Sequence, residues 1–220
     1  GSEMCIRDSS PIDGRYARQT DALRDIFSEC AFMNARVRVE VEWLISLSEA
    51  GFAELPHLSD HGKAFLRGLA DNFSLADCEA IKEIEKTTNH DVKAVEYWIK
   101  NQVAHDEELK SASEFVHFSC TSEDINNTSH AIMLKRGREA LADYLQQIHD
   151  TIAGFAHQWA EIPMLSRTHG QTASPTTVGK EFANVAVRLE RVIEAIRAVK
   201  IYANCLLYTS PSPRDAHESR

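Results

Sequence analysis

The sequence predicts an all-α protein, and three observations carry that reading. Apolar residues recur at helical spacing along most of the chain. Two long stretches in the second half tighten into a heptad pattern of alternating three- and four-residue steps. No segment shows the strict apolar–polar alternation of a half-buried strand, and no internal repeat is visible. At 220 residues the chain can form one large domain or two small ones.

The elements follow in order. From Asp21 to Ala50, Leu23, Ile26, Phe27, Cys30, Val37, Val41 and Leu44 form one apolar face, and Gly51 marks the stop. A shorter helix covers Lys63 to Asp71. Ser74 and Asp77 make a capping box for a helix reaching about Lys86. Val92, Val95, Ile99 and Val103 share one face of the next helix. Thr121 and Asp124 cap a helix that continues to about Ala160, with Leu134, Leu141, Leu145, Ile148, Ile152, Phe155 and Trp159 on its seam; Pro163 stops it. After a polar break, Ser174-Pro175 reads as an N-cap followed by proline at the first helical position. The seam of the last helix then runs Val178, Phe182, Val185, Leu189, Val192, Ile196, Val199, Ala203. The first rod is roughly 55–60 Å long at 1.5 Å per residue. Two such rods with narrow apolar seams require helical partners, from this chain or from copies of it.

Composition narrows the function classes. Hydrophobic residues make up 43% and charged residues 26%, the balance of a globular protein. A net charge of -9 argues against nucleic acid as a partner and leaves an anionic small molecule open. No apolar run approaches the ~18 residues of a membrane span. The cysteines, Cys5, Cys30, Cys78, Cys120 and Cys205, show no metal-ligand spacing; scattered and unpaired, they fit a reducing cytoplasm. Residues 1–9 and the Pro/Ser-rich stretch 205–220 lack the character of the rest. Both are expected to be foreign to the natural protein, in the manner of translated adapter sequence.

Four polar islands interrupt the helices. The first is Ser10-Pro11-Ile12-Asp13-Gly14-Arg15-Tyr16, a turn projecting an arginine fork suited to carboxylate or phosphate, or simply an N-terminal arm with a surface arginine. The second, Thr87-Thr88-Asn89-His90-Asp91-Val92-Lys93, exceeds what one N-cap requires. Asp91 serves as the cap, while Asn89 and His90 have no evident structural duty. The third, Ser119 to Asn127, opens a helix, and its Thr121 and Ser122 are either caps or hydrogen-bond donors to a ligand oxygen. The fourth, Ser166-Arg167-Thr168-His169-Gly170-Gln171, places a histidine among polar neighbours between two helices, where it either satisfies a loop or passes a proton. Of the other histidines, His117 and His130 flank the third island; the rest read as ordinary.

Together and in this order, the islands resemble the bacterial-type adenylosuccinate lyase family of the fumarase/aspartase superfamily. The resemblance runs from about Ser10 to Asn204. It rests on SPIDGRY at 10–16, TTNHDVKAVEY at 87–97, HFSCTSEDINN at 117–127 and SRTHGQ at 166–171 followed by PTTVGKE. In fumarase and argininosuccinate lyase the residue after the last motif's histidine is usually leucine, whereas here it is Gly170.

The resemblance implies a fumarase/aspartase-like fold, with a helical N-terminal domain at 10–111 and the first long helices of a central bundle at 112–204. It implies a homotetramer that uses no metal or organic cofactor. The implied reaction is β-elimination of fumarate from adenylosuccinate, giving AMP, and from the succinyl-carboxamide ribotide of purine biosynthesis. His169 falls on the family's general acid. Arg15, Tyr16, Asn89, His90, Asp91, Thr121 and Ser122 fall on positions that bind the purine nucleotide substrate. His90 has a second possible duty, orienting the acid or the substrate phosphate. The family's general base is a serine on a mobile Gly/Ser-rich loop ending in an M-P-x-K-x-N-like motif, and these 220 residues contain no such stretch. The isolated chain is therefore expected to be inactive. Another lyase of the superfamily, or a non-catalytic helical assembly protein, are the alternative readings.

Overall fold

A computed structural model describes residues 18–55 and 57–203. Arg15, Tyr16, the rest of the first island and both ends expected to be foreign lie outside the described residues. The backbone divides into two compact units: one whose described core runs to Leu134, and one at Lys135–Ile201.

The first unit is helical. It holds α1 (Asp21–Phe27), α2 (Glu29–Glu49), α3 (Asp60–Asp71), α4 (Leu75–Thr88), α5 (Asp91–Val103), α6 (Glu107–Ala112), a short 3-10 turn at Ser113–Phe115 and the start of α7 (Ser122–Gln158). The expected single helix from Asp21 to Ala50 is two. Ser28 is extended, and its Oγ accepts from the Ala31 amide to cap α2, because a serine hydroxyl satisfies an N-terminal amide better than it continues a helix. The Ser74–Asp77 capping box of α4 forms as its spacing predicts. Helix α6 and the turn after it had no apolar period long enough to reveal them.

The core of this unit forms where the periodicity placed it. Val37, Val41 and Leu44 of α2 and Val92, Val95, Ile99 and Val103 of α5 are all buried. Leu66 and Ala70 of α3, Ile81 of α4 and Leu109 of α6 join all of these but Val92 in one cluster, and Phe73 meets Trp98 edge-on at 5.5 Å.

The cysteine expectation is corrected here. Cys30 on α2 and Cys78 on α4 form a disulfide across 48 residues of sequence. No local spacing marks the pair, since helix packing alone brings their Cα atoms to 5.7 Å. The inference from unpaired cysteines to a reducing compartment loses its basis.

The second unit consists of the rest of α7, an antiparallel hairpin of β1 (Pro163–Thr168) and β2 (Gln171–Thr177), and α8 (Val178–Ala198). The sequence expectation had no strands and started the last helix at Pro175. Instead Ser174 and Pro175 lie in β2, and Thr177 caps α8 through its Oγ1, which accepts from the Lys180 amide at 3.2 Å. Proline has no amide to donate and is tolerated in a two-stranded ribbon, every strand of which is an edge. The heptad positions from Val178 to Ile196 stay helical, while Val199 is the C-cap and Ala203 lies beyond the helix.

The hairpin is tied to both helices. Val178 N donates to Ile162 O, and Gly179 N donates to Trp159 O, each at 2.9 Å. The closeness explains Gly179. A Cβ there would lie 2.6 Å from the Ala160 backbone and closer still to the Ala156 carbonyl. Phe155, Trp159 and Phe182 then cluster, with ring centroids 4.8 to 5.8 Å apart. Much of the seam remains open: Leu141, Ile148, Val185 and Val192 are each about half exposed.

One buried ion pair bears on how the first unit holds its third island. Glu40 of α2 is 1% exposed, and one carboxylate oxygen meets His117 Nδ1 at 2.6 Å. The other oxygen is buried without a hydrogen-bond partner among the described residues. Burial pushes the Glu40 carboxyl up against the opposing pull of His117. The hydrogen bond to Glu40 raises His117 above its ordinary value of 6.5. His117 has φ +64° and Ser119 has φ +59°, so this contact pins an unusual stretch of backbone leading into α7.

Gly179→Ala should cost about 1–3 kcal/mol in urea unfolding, because the obstructing atoms are backbone. Gly154→Ala, with open space around the added methyl, should gain up to about 1 kcal/mol. For the ion pair the sign is set by two raised pKa values. Stability from charged His117 is complete below about 6.5 and is lost as pH rises through its folded value, and raised Glu40 acts in the same direction. Unfolding midpoints followed by tryptophan fluorescence should fall from pH 6.5 to 8.5, and Glu40→Gln should flatten that slope. Equal slopes in both proteins would exclude the pair as its source.

Candidate active site

Within the first unit, the second and third islands converge. Two residues, Asn89 and His90, join α4 to α5, and each closes one helix. Asn89 is left-handed (φ +49°), with its amide donating to Glu85 O at 2.8 Å to end α4. Asparagine tolerates that conformation better than most side chains. His90 is extended and caps α5, its Nδ1 accepting from the Lys93 amide at 3.2 Å. The expected cap was Asp91, with no duty for Asn89 or His90. The cap falls one residue earlier because α5 begins at Asp91 itself.

This arrangement orients the His90 ring. With Nδ1 spent as an acceptor, the ring proton belongs on Nε2, which faces Ser122 Oγ at 3.3 Å. Ser122 is the first residue of α7. Thr121 before it is engaged in the cap: its amide and hydroxyl donate to Asp124 Oδ2 at 2.7 and 2.8 Å. The predicted Thr121–Asp124 cap is present, and it occupies the hydroxyl proton of Thr121. His90 and Ser122 thus bring the N-termini of α5 and α7 into contact, and both termini favour negative charge.

Released from capping, Asp91 turns to Arg36 of α2, pairing with Nη2. Burial works to raise the Asp91 carboxyl. The Arg36 charge, the Val92 amide and the hydrogen bond from Arg36 outweigh it and hold the group below the usual carboxylate range. Arg36 is 5% exposed, its Nε donates to Asn126 Oδ1 at 2.8 Å, and its guanidinium lies 4.0 Å above the Phe32 ring. Phe32 in turn stacks on His130 at 4.4 Å. Neither Arg36 nor Glu40 stood out in the sequence. The signal available was two charges four residues apart on the face that carries Met33, Val37, Val41 and Leu44.

A groove of about 630 Å³ runs between α2 and the start of α7, lined in part by Trp43, Ser119, Cys120, Asp124 and Thr128. His90, Thr121 and Ser122 are not among its lining residues. Among the described residues, no group of His, Cys, Asp and Glu side chains is placed to hold a metal ion. No helix there is long and apolar enough to cross a membrane.

His169 belongs to the second unit. Thr168 pairs with Gln171, leaving His169 and Gly170 as a two-residue hairpin loop. Their φ values are +51° and +77°, the pattern of a type I′ turn. The imidazole is therefore carried on an exposed turn whose backbone is fixed on both sides by strand pairing. The signal for this hairpin was present as a His-Gly dipeptide between threonine-rich flanks, although the flanks lack clean alternation.

Comparison with known proteins agrees with this architecture. The chain is 53% identical over 196 residues to the adenylosuccinate lyase of Vibrio cholerae, covering 88% of this chain and 43% of that protein. It is 51% identical over 194 residues to the adenylosuccinate lyase of Escherichia coli, covering 87% and 42%. The chain thus spans about two fifths of the length of these relatives. Among solved structures, β-carboxy-cis,cis-muconate cycloisomerase from Acinetobacter calcoaceticus superposes with a TM-score of 0.64 at 20% identity, covering 84% of this chain and 42% of that one. That likeness concerns the fold alone. The Lyase family model matches residues 14–210, and the chain belongs to that family.

Proposed function

We propose that this chain is part of an adenylosuccinate lyase. The observation that carries the reading is the identity of 51–53% to proteins of that name across nearly nine tenths of this chain. The convergence of His90 and Ser122 at two helix N-termini supports it, because a nucleotide with a phosphate and two carboxylates needs such donors. Arg15, Tyr16, Asn89, His90, Asp91, Thr121 and Ser122 are the proposed substrate contacts.

In the proposed reaction a base removes a proton from the carbon beside a carboxylate. The C–N bond breaks, fumarate leaves, and the nitrogen takes a proton from His169. The same elimination on the succinyl-carboxamide ribotide falls within this reading. A rigid two-residue turn suits the donor, since its approach to the nitrogen is set by backbone and not by a flexible loop. No metal or organic cofactor enters the scheme. The open heptad seams favour assembly with copies of the chain, a homotetramer on this reading.

The base is not among these residues, so the isolated chain should release no fumarate from adenylosuccinate, followed by ultraviolet absorbance; clear turnover would overturn that expectation. In the enzyme produced from the complete reading frame, His169→Gln should lower kcat by roughly 10²–10⁴. A loss smaller than tenfold would remove His169 from the role of acid.

A further inference from the structure

Arg36 is a buried cation on a helix face that an apolar side chain could fill. It sits on the apolar face of α2 at 5% exposure, between Met33 and Val37 on one side and Glu40 on the other. Taking a guanidinium out of water carries a large desolvation penalty, and replacing buried ion pairs by apolar side chains of similar volume is often neutral or stabilising. The arginine's contacts point elsewhere. Nη2 engages Asp91, Nε donates to Asn126 at 2.8 Å, and the Phe32 ring fixes the guanidinium plane from a third side. Asp91 directly follows His90, and Asn126 lies one helical turn after Ser122. One planar fork therefore joins the first residue of α5 to the first turns of α7. The 3.3 Å contact between His90 and Ser122 lies beside the two groups that the fork holds.

We propose that Arg36 is a positioning residue of the substrate site, holding His90 and Ser122 at working distance through Asp91 and Asn126. The inference rests on the proposed function for its kinetic consequence and on the geometry alone for its structural one. Arg36 itself touches no substrate. Its loss disturbs the nucleotide contacts and leaves the proton donor on the other unit's hairpin unaltered, so binding suffers more than the chemical step.

Two measurements test this. In the complete enzyme, Arg36→Met is expected to raise KM for adenylosuccinate about tenfold or more while kcat stays within about threefold. Arg36→Lys, which keeps the charge but cannot engage both partners, should fall between the two. Asn126→Ala should raise KM in the same way, and its effect should not add to that of Arg36→Met, since both break one linkage. In the 220-residue chain, amide hydrogen exchange should quicken at 89–93 and 121–126 in Arg36→Met with the remaining core unchanged. If Arg36→Met fails to fold, Asn126→Ala carries both measurements. An unchanged KM with unchanged local exchange overturns the proposal. So does exchange that quickens throughout the unit together with a fall in unfolding temperature, the mark of a purely structural role. If the complete enzyme leaves adenylosuccinate intact, the proposed function fails, and the exchange measurement decides Arg36 by itself.

Discussion

Helix α2 carries two charges, Arg36 and Glu40, one turn apart inside an otherwise apolar face, and the first unit is arranged around their demands. A buried charge must find partners or be expelled. Arg36 finds Asp91 and Asn126; Glu40 finds His117. Asp91 and Asn126 lie in the second and third polar islands, at the starts of α5 and α7, and His117 lies in the turn just before the third. The apolar core sets which helices pack together. The charge pairs add directional contacts between those helices, because a hydrogen bond holds only over a narrow range of distance and angle.

The legibility of this fold in the sequence divides along the same line. Periodicity revealed α2, α5, α7 and α8, because burying a helix face leaves a repeat of apolar residues. The Ser74 and Thr121 capping boxes were legible because they are local. What escaped was non-local or short. The Cys30–Cys78 bridge joins residues that packing brings together and that no spacing connects. The β-hairpin was hidden because both its strands are largely exposed, so no apolar face had to alternate. Ser174-Pro175 carried a helix-start signal that strand pairing overrode, and the true cap, Thr177, lay three residues on.

For the candidate site, residue identity was easier to read than residue duty. Asn89, His90 and Ser122 were singled out as polar excess at helix starts. Their placement shows how capping and ligand recognition share one geometry: an N-cap must hold its side chain against exposed amides, and those amides are what an anion seeks. His90 spends one ring nitrogen on capping α5 and turns the other to Ser122. A sequence cannot show that division of labour, because it depends on which nitrogen meets which helix. Arg36 was harder still, since an arginine inside an apolar repeat reads as an imperfection until its partners are known.

The junction between α4 and α5 has a consequence for how this chain can vary. Asn89 ends one helix and His90 starts the next, so no slack residue separates them. An inserted residue would rotate the His90 imidazole away from Ser122, and a deletion would remove one cap or the other. Length changes can be absorbed in the connection between α2 and α3, where ten residues separate the helices. At positions 89–90 they cannot. Divergence here is confined to substitution, and the number of residues becomes as much a part of the site as their identity.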